Sequence, residues 1–293
     1  SSWKWSVSGN IGVNRNEISD LGLLPADFGC LGERVGYYGN SLGDHFGVGH
    51  IFLAGEAPGL FYGYVTQGIV QKEDITENGI KYIKQDGSVG YYQTVNKTTP
   101  VAGDVKYVDR NGDGVVDDND RDIIGNPNPD FTYGFQTKVS WKSLSLSASF
   151  NGVQGRDILN VGNRYNNTPG TKSNNVTRKA FQNMWTDENP SNLYPKSTFV
   201  VQNMVMDRYV EDGSYLRCSD ITLSYVLPAK WTNKIGIKNT SVYASVKNAF
   251  VITDYSGYDP EVNSFAFDGL RPGVDMNSYP TPRSFVFGLN LTF

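Results

Sequence analysis

Six stretches of the chain alternate strictly between apolar and polar residues. In the first, Trp3, Trp5, Val7, Ile11 and Val13 oppose Lys4, Ser6, Ser8 and Asn10. In the second, Phe131, Tyr133, Phe135, Val139 and Trp141 oppose Thr132, Gln136, Lys138 and Ser140; in the third, Leu144, Leu146, Ala148 and Phe150 oppose Ser143, Ser145, Ser147, Ser149 and Asn151. The fourth sets Ile221, Leu223, Tyr225 and Leu227 against Asp220, Thr222 and Ser224, and the fifth sets Val242, Ala244, Val246, Phe250 and Ile252 against Tyr243, Ser245 and Lys247. The chain closes on SFVFGLNLTF, with Phe285, Phe287, Leu289, Leu291 and Phe293 on one side. A period of two places successive side chains on opposite faces of a strand, so each stretch predicts one apolar and one polar face. The predicted strands are about 3–13, 131–141, 143–153, 214–227, 240–252 and 283–293.

Each stretch is about ten residues, the length a tilted strand needs to cross a bilayer, whereas sandwich strands centre on about five or six. The connections add to this. Residues 14–130, 154–213 and 253–282 are long, while the turns near 141–143 and 228–238 are short. Transmembrane barrels keep this asymmetry, with long loops outside and short turns inside. The sequence therefore predicts an all-β fold made of antiparallel strands of a transmembrane β-barrel, with 14–130, 154–213 and 253–282 as extracellular loops. Phe131, Tyr133, Trp141, Tyr225 and Phe293 fall near strand ends, where aromatic girdles sit. Six strands alone leave open edges, and an unpaired backbone group in lipid costs several kcal/mol. Further strands are expected from a preceding part of a longer polypeptide, with other copies of this chain as the alternative. The opening SSWKWSVSGN, without Met or signal peptide, reads as the interior of such a chain.

Composition changes the picture little. The 293 residues are 39% hydrophobic and include 32 Gly, 18 Tyr and 15 Phe, which suits a turn-rich β protein. Mean hydropathy is −0.40. No apolar run reaches the length of a membrane helix. A net charge of −4 without any basic run argues against nucleic acid. Cys30 and Cys218 match no metal or redox spacing. Inside the loops, Asp86-Gly87 within residues 80–92 predicts a hairpin. Val176, Ala180, Phe181, Met184 and Trp185 share one helical face, with Asn174–Asn175 as the cap and Pro190 as the stop.

The sharpest chemical motif is DRNGDGVVDDND at 109–120. Asp109, Asn111, Asp113, the Val115 carbonyl, Asp117 and Asp120 stand at the ligand positions of a twelve-residue calcium loop, and Gly114 stands at its sharp turn. Asp replaces the usual Glu at the last position. The alternative is a solvated acidic turn. The loop predicts a structural Ca²⁺, with no catalytic part. His45 and His50 read as exposed loop histidines. No nucleophile elbow, zinc-helix motif or phosphate loop is present, so an enzyme has no residues to stand on.

Several phrases, in order, carry a resemblance: GEAPGLFYGYVTQGIVQ at 55–71, GDVKYVDRNGDGVVDDNDRDIIGNPNPDFTYGF at 103–135, EDGSYLRCSDITLSYVLP at 211–228, VKNAFVITDYSGYDPEV at 246–262 and the closing YPTPRSFVFGLNLTF. Together they resemble the C-terminal third of SusC/RagA-type TonB-dependent outer-membrane transporters. The resemblance implies a 22-strand barrel in the outer membrane of a Gram-negative cell, of which this chain supplies the last strands, with the plug domain elsewhere. It implies a SusD-like surface lipoprotein as lid, TonB as the energy source through the missing N-terminal part, and glycans or peptides as cargo. Cys218 departs from the larger aliphatic residue usual at its position. The terminal Phe293 resembles the signal read by barrel-assembly machinery.

Two other readings compete. A secreted, calcium-stabilised, β-rich carbohydrate-binding module accounts for the acidic loop and for Tyr37, Tyr38, Phe61, Tyr62, Tyr64, Tyr255 and Tyr258, yet leaves the long–short–long pattern unexplained. A hydrolase lacks a catalytic pair. For the loop aromatics, packing within the loops is expected ahead of ligand contact.

Overall fold

The computed structural model describes residues 2–21, 42, 48–168, 175–197, 204–232, 237 and 239–292. Tyr37, Tyr38, Cys30, His45 and Phe293 lie outside them, as does the cap residue Asn174. Each alternating stretch forms a long strand. These are β1 (Trp3–Gly12), β2 (Phe131–Trp141), β3 (Leu144–Gln154), β4 (Tyr215–Val226), β5 (Asn239–Thr253) and β6 (Ser284–Thr292). They pair in chain order, all antiparallel, as one six-stranded sheet. With this topology the three long connections leave from one end of the sheet and the short turns from the other. The tight turn joins Trp141 to Leu144 through Lys142, whose φ of 54° gives the twist a two-residue hairpin needs.

Register shows what the alternation achieves. One row of paired residues reads Trp5–Val139–Leu146–Leu223–Ala244–Phe287, and its neighbours read Trp3–Trp141–Leu144–Tyr225–Val242–Leu289 and Val7–Thr137–Ala148–Ile221–Val246–Phe285. The opposite face carries Ser6–Lys138–Ser147–Thr222–Ser245–Val286 and Ser8–Gln136–Ser149–Asp220–Lys247–Ser284.

The sheet does not supply the buried core. Every buried apolar cluster of the described residues is built from the three long connections, for example Phe61, Tyr64, Tyr82, Tyr107, Leu159, Met206 and Val274. The connections carry short pairings of their own: 60–64 between 121–125 and 50–51, and 157–160 between 210–212 and 274–275. They are laced together by Tyr64 N–H to the Val205 carbonyl (2.8 Å) and Leu159 N–H to the Gly273 carbonyl (2.9 Å). The loops therefore form one packed domain over the end of the sheet.

Several local expectations meet the structure differently. The hairpin around Asp86-Gly87 is present, with Gly79–Ile83 paired to Val89–Tyr92 and Gly87 at φ 81°. The loop helix is shorter than its apolar spacing predicts. Helix α1 (Val161–Asn167) precedes it, and α2 spans only Arg178–Asn183, with the Thr177 hydroxyl accepting from Ala180 N–H as its cap. Ala180 is buried but Phe181 is exposed, and Trp185, past the helix end, donates its indole N–H to Gln71 Oε1 at 3.0 Å. Tertiary contacts of Trp185 override the helical period. His50 is not an exposed loop residue. It is fully buried, edge-on to Phe61 and 3.2 Å from the Pro272 carbonyl, and burial pushes its pKa down to about 4.

Candidate functional site

The six-strand wall is the first functional surface. Its apolar rows are open: Trp5 is 74% exposed, Leu146 48% and Phe287 79%. A water-soluble sheet with one apolar face buries that face against a second layer. Among the described residues none covers it, and an uncovered apolar face of this kind suits hydrocarbon. The single aliphatic hydroxyl in these three rows, Thr137 Oγ1, accepts from the Trp5 indole N–H at 2.9 Å. Polar groups facing lipid need such an internal partner.

The opposite face is wired with charge and hydroxyl. Lys247 Nζ lies 2.5 Å from Asp220 Oδ2, and the same carboxylate accepts from Ser245 (2.7 Å) and Thr222 (2.7 Å). Nearer the loop end, buried Arg217 reaches Asp259 at 2.5 Å, and its Nε stands 3.3 Å from Glu261 without hydrogen-bond alignment. Asp259 also accepts from Glu261 N–H and Thr281 N–H, and Glu261 from Tyr215 O–H and Asn151. This cluster pins the connection 254–283 to β3 and β4. Sequence reading missed it, although a signal existed. Leu216 and Cys218 sit at even positions while Ile221, Leu223 and Tyr225 sit at odd ones, a one-residue slip. The structure places a bulge there: Cys218 and Asp220 face Phe150 and Ser149, with Ser219 extra. Arg217 is thereby turned to the polar side. Cys218 is fully buried and forms no disulfide among the described residues. The Phe150 and Phe250 rings on its flanking strands approach to 6.3 Å. Strands two places apart are separated by about 9.6 Å, so the rings lean together over the small thiol.

The acidic loop 109–120 is the second candidate. Asp109 and Asp120 are buried, while Asn111 and Asp113 are exposed. Asp109 accepts from Gly112 N–H (2.7 Å) and Gly114 N–H (2.9 Å), and Asp120 from Arg110 N–H (2.7 Å) and Asp117 N–H (2.8 Å). Asn111, Asp113 and Asp117 each accept the N–H two residues on, at Asp113, Val115 and Asn119. Val115 lies in a two-residue strand beside Thr94. Gly114 at φ 86° makes the turn that an L side chain disfavours. Neither Asp109 nor Asp120 pairs with a Lys or Arg among the described residues. Burial, with Asp109 close by, raises the Asp120 pKa above the usual carboxylate range. Every ligand position offers oxygen, from a side chain or, at Val115, from the backbone carbonyl, the chemistry a hard cation requires. Those oxygens serve backbone donors first, and among the described residues no three His, Cys, Asp or Glu side chains group around one point.

No family model matches the chain. TonB-dependent receptor P3 of Formosa agariphila is 33% identical over 294 residues, covering 99% of this chain and 27% of that protein. TonB-dependent receptor SusC of Bacteroides thetaiotaomicron is 32% identical over 298 residues, covering 99% of this chain and 24% of that one. Among solved structures, the RagAB peptide importer in its 'open-open' state superposes with a TM-score of 0.67 at 26% identity, covering all of this chain and 27% of its counterpart. The 'closed-closed' state of the same importer gives 0.67 at 25% identity. The chain thus spans about a quarter of the length of the relatives it matches, less than the third that the resemblance suggested. With its apolar rows turned outward and its polar rows inward, the chain matches, along 99% of its length, a segment of the outer-membrane β-barrel of SusC/RagA-type TonB-dependent receptors.

Proposed function

We propose that this chain forms part of the barrel wall and outer-loop domain of an energy-coupled importer of glycans or peptides, working beneath a SusD-like surface lipoprotein and driven through TonB. The observation that carries the reading is the contrast between the two faces of one sheet. An uncovered apolar face fits lipid, a hydroxyl- and charge-lined face fits a wet lumen, and a packed domain over one end fits a gated mouth. A secreted module would bury the apolar face.

The test uses the full-length receptor that contains this segment. An epitope inserted in the exposed Asp86–Gly87 turn should be reached by antibody on intact cells, and deleting the gene should abolish growth on its cargo in an uncoupler-sensitive way. An epitope reachable only after lysis refutes the orientation. For loop 109–120, the proposal is a structural Ca²⁺. Two buried, neighbouring carboxylates with no cationic partner among the described residues favour it, since a bound cation relieves both their repulsion and their desolvation.

A further inference from the structure

We propose that the turn-side rim of the wall binds the phosphodiester headgroup of an anionic phospholipid in the inner leaflet of the outer membrane. This rests on the importer reading for its orientation, in which the short turns face the periplasm. Charge along the sequence points there first. On the turn side of the row that holds Asp220, the segments 1–8, 136–149, 221–246 and 284–293 carry Lys4, Lys138, Lys142, Lys230, Lys234 and Lys238, without one Asp, Glu or Arg. The whole chain has 30 Asp and Glu and a net charge of −4, so this rim departs in sign from the rest. Asp220 is the one acid within the six long strands.

Three segments meet at the rim. Lys142 N–H donates to the Ser2 carbonyl (3.2 Å) and Val226 N–H to the Ser143 carbonyl (2.9 Å). The start of β1, the β2–β3 turn and the end of β4 therefore lie side by side. Trp3 and Trp141 pair across β1 and β2, and their rings stack with centroids 5.7 Å apart. Both stand in an apolar row and both are open, at 61% and 41% exposed. Lys142 Nζ lies 4.8 Å from the centroid of the Trp141 ring. That contact holds the ammonium on the membrane-facing side of the rim. Beside it, Trp231 N–H donates to the Pro228 carbonyl (2.9 Å) in the short helix α3 (Ala229–Thr232), which leaves Lys230 and Trp231 exposed. Lys4 and Lys138 differ: they pair with Ser140 and Ser147 on the polar face.

An indole suits the headgroup level of any bilayer, which accounts for the tryptophans. It accounts neither for the lysines nor for the missing acids. A Lys beside an anionic leaflet gains attraction that a neighbouring carboxylate would cancel, so a rim rich in Lys and devoid of acids fits a surface of negative charge. The phosphodiester supplies the oxygens that an ammonium binds as a point charge. The acyl chains of the same lipid would continue along the apolar row that Trp3 and Trp141 begin. A zwitterionic lipid brings an ammonium of its own, which competes with Lys142 for the phosphate. A soluble acidic protein would gain nothing from indoles turned toward hydrocarbon.

The experiment is native mass spectrometry of the purified full-length receptor, titrated with dioleoyl-phosphatidylglycerol or dioleoyl-phosphatidylethanolamine. Lys142→Gln with Lys230→Gln removes two charges from the rim. Lys4→Gln with Lys138→Gln removes the same charge from the lumen face and is the control. All four side chains are exposed, so folding should survive, and the mobility shift between folded and heated barrel checks it. The expected result is tighter binding of phosphatidylglycerol than of phosphatidylethanolamine. The rim pair should weaken phosphatidylglycerol by about 30-fold, and Lys142→Gln alone by about fivefold. The lumen pair should change it less than about twofold, and Lys142→Arg with Lys230→Arg should bind as the wild type does. Equal affinity for the two lipids, or equal losses in the rim and lumen pairs, overturns the proposal. An Asp86–Gly87 epitope reached on intact cells, with no preference for phosphatidylglycerol, overturns the rim and spares the importer. An epitope reached only after lysis overturns the orientation on which both rest.

Discussion

Adjacent residues of β6 offer a direct test of which face meets lipid. Phe287 pairs with Ala244 in an apolar row, and Val286 pairs with Ser245 in a polar one. Strand β6 has nine residues, which extend about 30 Å, or about 23 Å along the membrane normal at a tilt near 40°. Phe287 lies one residue from the strand centre, within about 3 Å of the midplane. At that depth an arginine on the lipid face costs about 2–4 kcal/mol, and Phe287 lies in the apolar row beside Ala244. Phe287→Arg in the full-length receptor should therefore lower the fraction of folded barrel at a given denaturant concentration by about 30- to 1,000-fold. Val286→Arg, aimed at the lumen near Asp220, should change it little. The assay is guanidinium unfolding of the receptor in lipid vesicles, read by the gel-mobility difference between folded and heated barrel. If the two variants behave alike, the assignment of the faces fails.

Three further outcomes follow from named contacts. Arg217→Met leaves the Asp259 carboxylate buried without its cation, a change that costs about 3–5 kcal/mol in buried pairs. Limited proteolysis should then cut within 253–282, and adding Asp259→Asn should restore resistance. His50 binds a proton less readily folded than unfolded, since burial holds its pKa at about 4 against 6.5. Its contribution is therefore intact above pH 6.5 and is lost as the pH falls toward 4, by roughly 3 kcal/mol. His50→Gln should flatten that part of the melting-temperature profile. Calcium at about 100 times its dissociation constant should stabilise the loop domain by about 2.7 kcal/mol. Asp109→Asn with Asp120→Asn should abolish that gain, and a melting temperature indifferent to calcium and to chelator removes the cation from the account.

The wall was legible because lipid enforces a rule on every second residue. Across the three central rows only Thr137 breaks it, and Trp5 answers the break locally. The slip between Cys218 and Ile221 was equally visible and marks the bulge that turns Arg217 toward Asp259. The loop domain was legible only in pieces. The Asp86-Gly87 hairpin carries its turn chemistry within five residues, from Lys84 to Ser88. His50 carries nothing local that announces burial, since the residues that enclose it, Phe61 and Pro272, come from separate parts of the chain. The helix after Val176 failed for the same reason: Trp185 completes its apolar face in sequence, yet bonds Gln71 in space. Loop aromatics such as Tyr64 and Tyr258 are alike in sequence, and only the tertiary fold separates a core residue from an open ring.

That division has a physical basis that bears on function. A strand facing lipid answers to the bilayer, a partner with one chemistry everywhere, so its pattern is periodic and readable. A loop residue answers to whichever distant segment packs on it. Specificity for cargo has to lie in such aperiodic contacts, because the wall rows of Ser, Thr and Lys repeat without distinguishing one solute from another. The connections 155–214 and 254–283, far apart in sequence, meet where Glu211 of the first accepts from the N–H and hydroxyl of Ser256 in the second. Exchanging both connections together between two receptors should therefore carry cargo preference with them, whereas exchanging either alone should break the Glu211–Ser256 contact and weaken binding of either cargo. Transfer of preference by a single connection would refute this joint origin.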